Sequence, residues 1–197
     1  MYWTEEFTNR TTMKDYQNNY ESGASFLEYC EKLMGCDSIW SCPLYDFNPE
    51  EYGERYKYLY IIAKRIIFGE PDGVRANRRT RGKNGEEQKE WKRYMSQICL
   101  KEKKTLLKEI KSLAERYPDS FALSAGSCHV CSQCKRAKRG GCRYSDEIRF
   151  FIESLGCDVG ETAGELLGIE LQWMKQKLPE QYTLVTGLLT DHPGIER

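Results

Sequence analysis

The pattern of apolar and polar positions predicts a small α+β protein. The stretch "YKYLYIIAKRIIF", residues 56–68, is dense in aromatic and β-branched residues, which indicates a buried strand. The stretch "QYTLVTGLL", residues 181–189, predicts a second strand, and "SFALSAG", residues 120–126, a short one that ends at a cysteine-rich loop. The expected architecture is a small mixed sheet with flanking helices and a cysteine-rich metal-binding loop region.

Helical periodicity is clearest between residues 86 and 117. Apolar residues recur there at intervals of three and four, and Pro118 follows the last of them, which predicts one long helix. Shorter helices are predicted within 13–34, from Pro49 onward, over 144–156 and near 161–168. The segment "GEPDGVRANRRTRGKNG", residues 69–85, predicts a polar loop.

Length and composition predict one globular domain spanning residues 1–197. Hydrophobic residues make up 40% of the 197 residues and aromatic residues 12%, which is enough to form a core. No apolar run approaches the roughly 18 residues that span a bilayer. The start "MYWTEEFTNR" resembles no signal peptide, so we expect a cytoplasmic protein with no membrane contact.

Nine cysteines are many for a chain expected in a reducing compartment. Structural disulfides rarely persist there, so metal ligation is the better interpretation. Cys99 lies beside the apolar stripe of the long predicted helix, where a small buried hydrophobic role is expected instead.

The segment "SCHVCSQCKRAKRGGC", residues 127–142, carries the strongest chemical signal. Cys128, Cys131 and Cys134 form a C-x2-C-x2-C triple, the spacing with which bacterial ferredoxins hold three corners of an iron–sulfur cube. Cys142 completes this site or serves a second one. Zinc is the alternative metal, although three cysteines at this spacing are crowded around one tetrahedral ion.

A looser cysteine group precedes it at Cys30, Cys36 and Cys42, the last followed by Pro43. In two-cluster ferredoxins a cysteine followed by proline ligates the other cluster, so Cys42 competes with Cys142 for the fourth position. Together the groups hold seven cysteines, whereas two four-cysteine sites need eight. The sequence therefore predicts one or two 4Fe-4S clusters and leaves open an iron with a non-protein ligand. The groups 30–42 and 128–142 are expected to converge.

Charge adds a candidate partner surface. The formal net charge is zero, but five cations lie in or next to the second cysteine group: Lys135, Arg136, Lys138, Arg139 and Arg143. Positive charge near a cluster with four thiolates favours its reduced form and attracts an acidic protein. A solvated basic loop or a nucleic-acid contact is the alternative for each side chain. His129 and His192 are expected at the surface or beside ligands rather than as ligands.

With both cysteine groups described, the chain resembles a family of cysteine-rich prokaryotic proteins, the predicted metal-binding proteins of domain of unknown function 2284. The matching stretches are Cys30-x5-Cys36-x3-Trp40-Ser-Cys42-Pro43, "AGSCHVCSQC" through "GGCR", and "ESLGCDVGETA" ahead of "YTLVTGLL". Members typically have Cys-Pro-Pro where this chain has Cys42-Pro43-Leu44. They commonly have an apolar residue at Cys157, which argues against Cys157 as a ligand. The resemblance implies metal binding, by an iron–sulfur centre, and supplies no reaction.

Three functional hypotheses follow. The first is an iron–sulfur protein, holding 4Fe-4S at Cys128, Cys131, Cys134 and either Cys142 or Cys42, that exchanges electrons with a redox partner protein. The second is a zinc-stabilised interaction module for an acidic partner or, less expected, nucleic acid. The third is a cluster-dependent enzyme with an open iron site. No Walker, Rossmann, zincin or esterase motif identifies catalytic residues, and the sequence does not give the oligomeric state.

Overall fold

A computed structural model describes residues 1–20, 38–41, 49–69, 85–131, 133–144, 150–172 and 180–196. The predictions for Cys30, Cys36, Cys42, the polar loop over 70–84 and residues 21–34 of the predicted helical stretch 13–34 lie outside these residues. Within them the α+β class is confirmed, with a four-stranded antiparallel sheet and helices on both faces. In the described ranges no helix has the length and apolar character needed to cross a bilayer.

The elements follow one another in a simple order. They are β1 (Tyr2–Thr12), α1 (Met13–Tyr20), α2 (Pro49–Gly53), β2 (Tyr58–Phe68), α3 (Gly85–Arg116), β3 (Phe121–Ala122), α4 (Val159–Leu167) and β4 (Gln181–Thr190). Two 3₁₀ turns, Lys135–Lys138 and Ile152–Leu155, lie between β3 and α4. The predicted strands at β2 and β4 and the long predicted helix at α3 are confirmed.

The sheet has the strand order β1-β2-β4-β3, and all of its ladders are antiparallel. Parallel pairing is confined to an isolated bridge between Ser124 and Phe151. The sequence analysis did not predict β1. Its sequence "TEEFTNRTT" is mostly polar and lacks the apolar pattern that predicts a strand. An edge strand that exposes much of its surface needs few apolar residues.

Each face of the sheet has its own core. The long helix α3 packs on one face, where Leu106 and Ile110 meet Ile62, Ile66 and other apolar side chains of β2 and β4. On the opposite face, α1, α4 and the 152–155 turn cover Leu59, Ile61 and Ala63 of β2. This double coverage explains why β2 is apolar almost throughout instead of alternating.

Two local predictions near the cysteine loop need correction. The helix predicted over 144–156 is absent from its described part, where Phe150 and Phe151 run extended beside Ser124 and only Ile152–Leu155 form a 3₁₀ turn. The predicted strand at 120–126 contributes only Phe121 and Ala122 to the ladder. The amide of Ser124 donates to the carbonyl of Phe150, so this pairing between the two segments takes the place of a regular helix at Phe150 and Phe151 and of further ladder pairing at Ser124.

Candidate metal centre

The cysteine loop begins where β3 ends. The amide of Leu123 donates to the carbonyl of Gly187 in β4 at 2.8 Å, and Ser124 is buried and bonded to Phe150. Gly126 has a φ of 66°, a left-handed conformation that glycine adopts without the steric cost of a side chain. The chain is thus held by the sheet up to Ser124 and changes direction at Gly126, just before Ser127 and the first cysteine of the loop.

The structure describes the four cysteines of the loop, and Cys128 lies within electrostatic reach of the other three. All four are half-buried thiols: Cys128, Cys131, Cys134 and Cys142. Burial is the largest cause that raises the pKa of Cys128, and the negative charges of the other three raise it further. Cys128 is therefore within electrostatic reach of Cys131, Cys134 and Cys142, and a bound cation would favour its ionised form.

Backbone amides point at two of the sulfurs. The amide of Val130 is close enough to Cys128 to lower the pKa of its thiol, and the amide of Tyr144 donates to Sγ of Cys142 at 3.4 Å. Each donor is two residues after its acceptor, so both ends of the loop use the same local turn. Such bonds stabilise thiolates and tune the properties of a metal held by them.

A 3₁₀ turn over Lys135–Lys138 reverses the chain between the third and fourth cysteines. Arg139 ends the turn in the left-handed conformation, with a φ of 56°, and its amide donates to the carbonyl of Arg136 at 2.8 Å. The amide of Gly140 donates to the carbonyl of Lys135 at 2.9 Å. A Cβ at Gly140 would lie 3.3 Å from the Lys135 side chain, so the reversal favours glycine there.

The segment 38–41, between Cys36 and Cys42 in sequence, lies against this loop. The amide of Cys128 donates to Oγ of Ser41, which is fully buried, at 2.8 Å. The indole of Trp40 donates to the carbonyl of Gly140 at 3.1 Å. Arg136 stacks over the Trp40 ring at 4.9 Å and donates to the carbonyl of Ile39 at 3.0 Å. Part of the first cysteine group's sequence thus contacts the second group.

The side chain of Lys103 contacts the start of the cysteine loop. This side chain comes from α3, is 5% exposed, donates to the carbonyl of Ser127 and lies 3.0 Å from Nδ1 of His129. Burial lowers the pKa of Lys103 to about 8, and the negative charges of Cys128 and Glu153 oppose that shift. The sequence analysis missed this residue. Its position in the sequence is the sign that could have revealed its burial. Lys103 lies four residues after Cys99 and seven before Ile110, so it is a charged residue on the apolar stripe of the helix.

The two histidines make backbone or lysine contacts. Burial, followed by the charge of Lys103, lowers the pKa of His129. Nδ1 of His129 lies 3.0 Å from the Lys103 ammonium, from which it can only accept, and 2.7 Å from the carbonyl of Ser127, to which it can only donate, so it is engaged in either tautomer. His192 contacts the carbonyl of Pro118 through Nε2 at 3.1 Å. These contacts fit supporting roles for both side chains.

The other two cysteines that the structure describes have apolar surroundings. Cys157 is fully buried in the core beside Tyr16, and Cys99, a residue of α3, packs partly buried against the other core. Burial raises the pKa of the Cys99 thiol to about 11. A thiol that is buried and hard to ionise is a poor metal ligand.

The four loop cysteines are near one another without forming a compact single-ion site. Among the residues that the structure describes, no three His, Cys, Asp or Glu side chains are grouped so as to hold one metal ion. The donor set is nevertheless suited to a thiophilic metal or cluster, with sulfur ligands, amide donors and a buried ammonium. Cys30, Cys36 and Cys42 lie outside the described residues.

Comparison with known proteins gives one result. A family model described as "Predicted metal-binding protein (DUF2284)" matches residues 18–190, a span that includes both cysteine groups. No curated protein and no solved structure matches the chain. Because this match covers most of the sequence, the chain belongs to the family of predicted metal-binding proteins, domain of unknown function 2284.

Proposed function

We propose that this protein holds an iron–sulfur cluster, of the 4Fe-4S type, on its cysteine loop and uses it to exchange single electrons with a partner protein. The observation that carries the proposal is the ferredoxin-like spacing of Cys128, Cys131 and Cys134, with Cys142 on the same loop and all three other cysteines within electrostatic reach of Cys128. Bound there, such a cluster supplies a one-electron redox couple. The residues of the chain supply ligands, amide donors and fixed charge.

The first cysteine group supports a second set of ligands. Ser41 and Trp40 are bonded to the loop, and Ser41 is the residue before Cys42 in sequence. We propose that Cys42 completes the first cluster or, with Cys30 and Cys36, contributes to a second one. Seven cysteines leave one position of two cubes for another ligand.

The surface around the loop suits a transient protein partner. Val130 and Tyr144, whose amides point at cluster ligands, expose 45% and 46% of their surfaces. Four of the five nearby cations are also exposed: Lys135, Lys138, Arg139 and Arg143. Apolar side chains rimmed by like charges are typical of docking sites, and this sign of charge selects an acidic partner.

Arg136 has a different role. Its guanidinium stacks on Trp40 and donates to Ile39, so it joins the segment 38–41 to the loop instead of facing a partner. This contact between Arg136 and the segment 38–41 also favours the second candidate function, an interaction module stabilised by a structural zinc. The third candidate, an open iron with enzymatic activity, rests on the cysteine count alone.

Metal analysis of ligand variants tests the proposal. The protein is purified without oxygen, and iron, acid-labile sulfide and zinc are measured per chain. Cys131→Ser should lose iron, sulfide and visible absorption together, whereas Cys99→Ser should retain them, since Cys99 is on α3 and packs, partly buried, against the core. Zinc at one per chain with no sulfide would favour the interaction module. A Cys131→Ser protein with unchanged metal content would overturn the ligand assignment.

A further inference from the structure

The edge strand β1 is long and regular. It pairs with β2 over all 11 of its residues, from Tyr2 opposite Phe68 to Thr12 opposite Tyr58, with no bulge. In the described part of the chain no strand pairs with its outer edge. Proteins usually protect such edges with proline, lysine, bulges or short strands, and "YWTEEFTNRTT" contains neither proline nor lysine.

The register determines which backbone groups face outward. At the two ends of the strand, the amide of Gly69 donates to Met1 and the amide of Met13 donates to Lys57. Odd-numbered residues therefore bond to β2, because hydrogen-bonded pairs alternate along an antiparallel ladder. The outer edge carries the amides and carbonyls of the even-numbered residues: Tyr2, Thr4, Glu6, Thr8, Arg10 and Thr12. One of these amides, that of Arg10, is bonded locally to Oδ1 of Asn9.

The side chains on this edge are complementary to themselves. If two copies pair antiparallel about a twofold axis at Thr8, Glu6 of each copy lies opposite Arg10 of the other. Shifting the axis to Glu6 would instead place the two Glu6 carboxylates together. Both side chains are exposed. The Arg10 guanidinium already donates to the carbonyl of Pro193 and lies over the Tyr58 ring, and its five N–H groups leave donors for a second acceptor. Glu6 already contacts Lys64 at 2.9 Å, and a carboxylate can accept from a second cation.

We propose that a second copy of this chain binds along β1, antiparallel about Thr8, and joins the two sheets into one of eight strands. The contact is isologous, as in most twofold dimers, and uses main-chain bonds for affinity and the two Glu6–Arg10 pairs for register. This inference does not depend on the metal. It follows from the ladder register, the length of the edge and the charges on it.

Proline at the axis tests the main-chain contact. Thr8→Pro removes an outward amide that β2 does not use, so the fold should persist, as proline is tolerated on the open side of edge strands. The mass of the full chain in solution is measured by light scattering after size exclusion, between about 1 and 100 µM. Wild type and the control Thr8→Val should be dimers of the 23.0 kDa chain, and Thr8→Pro should dissociate at least 30-fold more readily. A monomeric wild type, or a Thr8→Pro dimer as tight as wild type, would overturn the proposal.

Charge exchange tests the register and does not depend on the proline variant. Arg10→Glu alone should weaken the dimer, because each interface then opposes two pairs of carboxylates. Mixed with Glu6→Arg it should form a heterodimer, in which every pair is again opposite in charge. Circular dichroism checks that each variant is folded, since Glu6→Arg places a cation beside the buried Lys64. Failure of the folded pair to associate would overturn the Thr8 register.

Discussion

The amide of Cys128 donates to Oγ of Ser41 across 87 positions of sequence, at 2.8 Å. Ser41 is fully buried, and its neighbour Trp40 is bonded to the far end of the same loop. One hydrogen bond therefore joins the first residue of the candidate centre to the segment that leads into Cys42. The contact places the residue before Cys42 against the first cysteine of the loop.

Removing this hydroxyl should weaken the centre. Ser41→Ala leaves the half-buried amide of Cys128 without its acceptor, a loss of about 1–3 kcal/mol. We expect a lower midpoint in denaturant and faster release of metal to a chelator. Ser127→Ala is the matched control, because Ser127 is exposed beside Cys128 and the substitution keeps the backbone carbonyl that Lys103 contacts. Equal metal release from the two variants would show that the Ser41 contact does not support the site.

The ammonium of Lys103 should raise the reduction potential of a bound cluster. Lys103→Met keeps the chain's bulk but removes a buried positive charge that interacts with Cys128, so the more negative reduced state loses stabilisation. The potential should fall by on the order of 50 mV in protein-film voltammetry. Lys104→Met removes an exposed charge from the next residue and should change the potential far less. Equal shifts would contradict a specific role for Lys103.

Glu153 should make stability depend on pH. Burial raises its pKa to about 7, and among the described residues Oε2 has no hydrogen-bond partner. The folded protein therefore holds a proton between about pH 4.5 and 7 that the unfolded chain has lost, so this residue's contribution to stability falls as pH rises through that window. Above about pH 7 Glu153 is ionised in the folded protein as well, and the loss of stability from its burial no longer increases.

Glu153→Gln should remove that cost. We expect a gain in the free energy of unfolding at pH 8 of up to about 3 kcal/mol, and a much smaller gain at pH 5. Denaturant titrations at the two pH values measure it, with the exposed Glu170→Gln as control. A gain that is the same at both pH values would mean that the ionisation of Glu153 is not its cause.

The exposed cations should control which redox reagents reach the centre. Lys138→Glu with Arg143→Glu reverses two exposed charges at the loop. Oxidation of the reduced protein by anionic ferricyanide should slow several-fold at low salt, and oxidation by cationic hexaamminecobalt(III) should accelerate. High salt should reduce both effects. Rates that change in the same direction for both reagents would point to altered structure rather than to charge.

The sequence predicted what depends on local pattern. The period of 3.6 residues from Trp91 to Tyr117 and the dense apolar run of β2 predicted the central elements, and cysteine spacing predicted the loop. Contacts between residues far apart in the sequence could not be predicted from it. Lys103 looks like one member of the solvated run "KEKK" until the fold buries it, and β1 is polar because only its neighbour needs to be apolar. The ladder partner of Phe151 likewise depends on where Ser124 lies.

The most direct test is the iron and acid-labile sulfide content of anaerobically purified wild type beside Cys131→Ser. The proposal predicts about four or about eight irons per chain, an equal amount of sulfide, and loss of both from the loop cluster in the variant. A colourless wild type with stoichiometric zinc and no sulfide would contradict the redox role and leave the loop as a structural clasp.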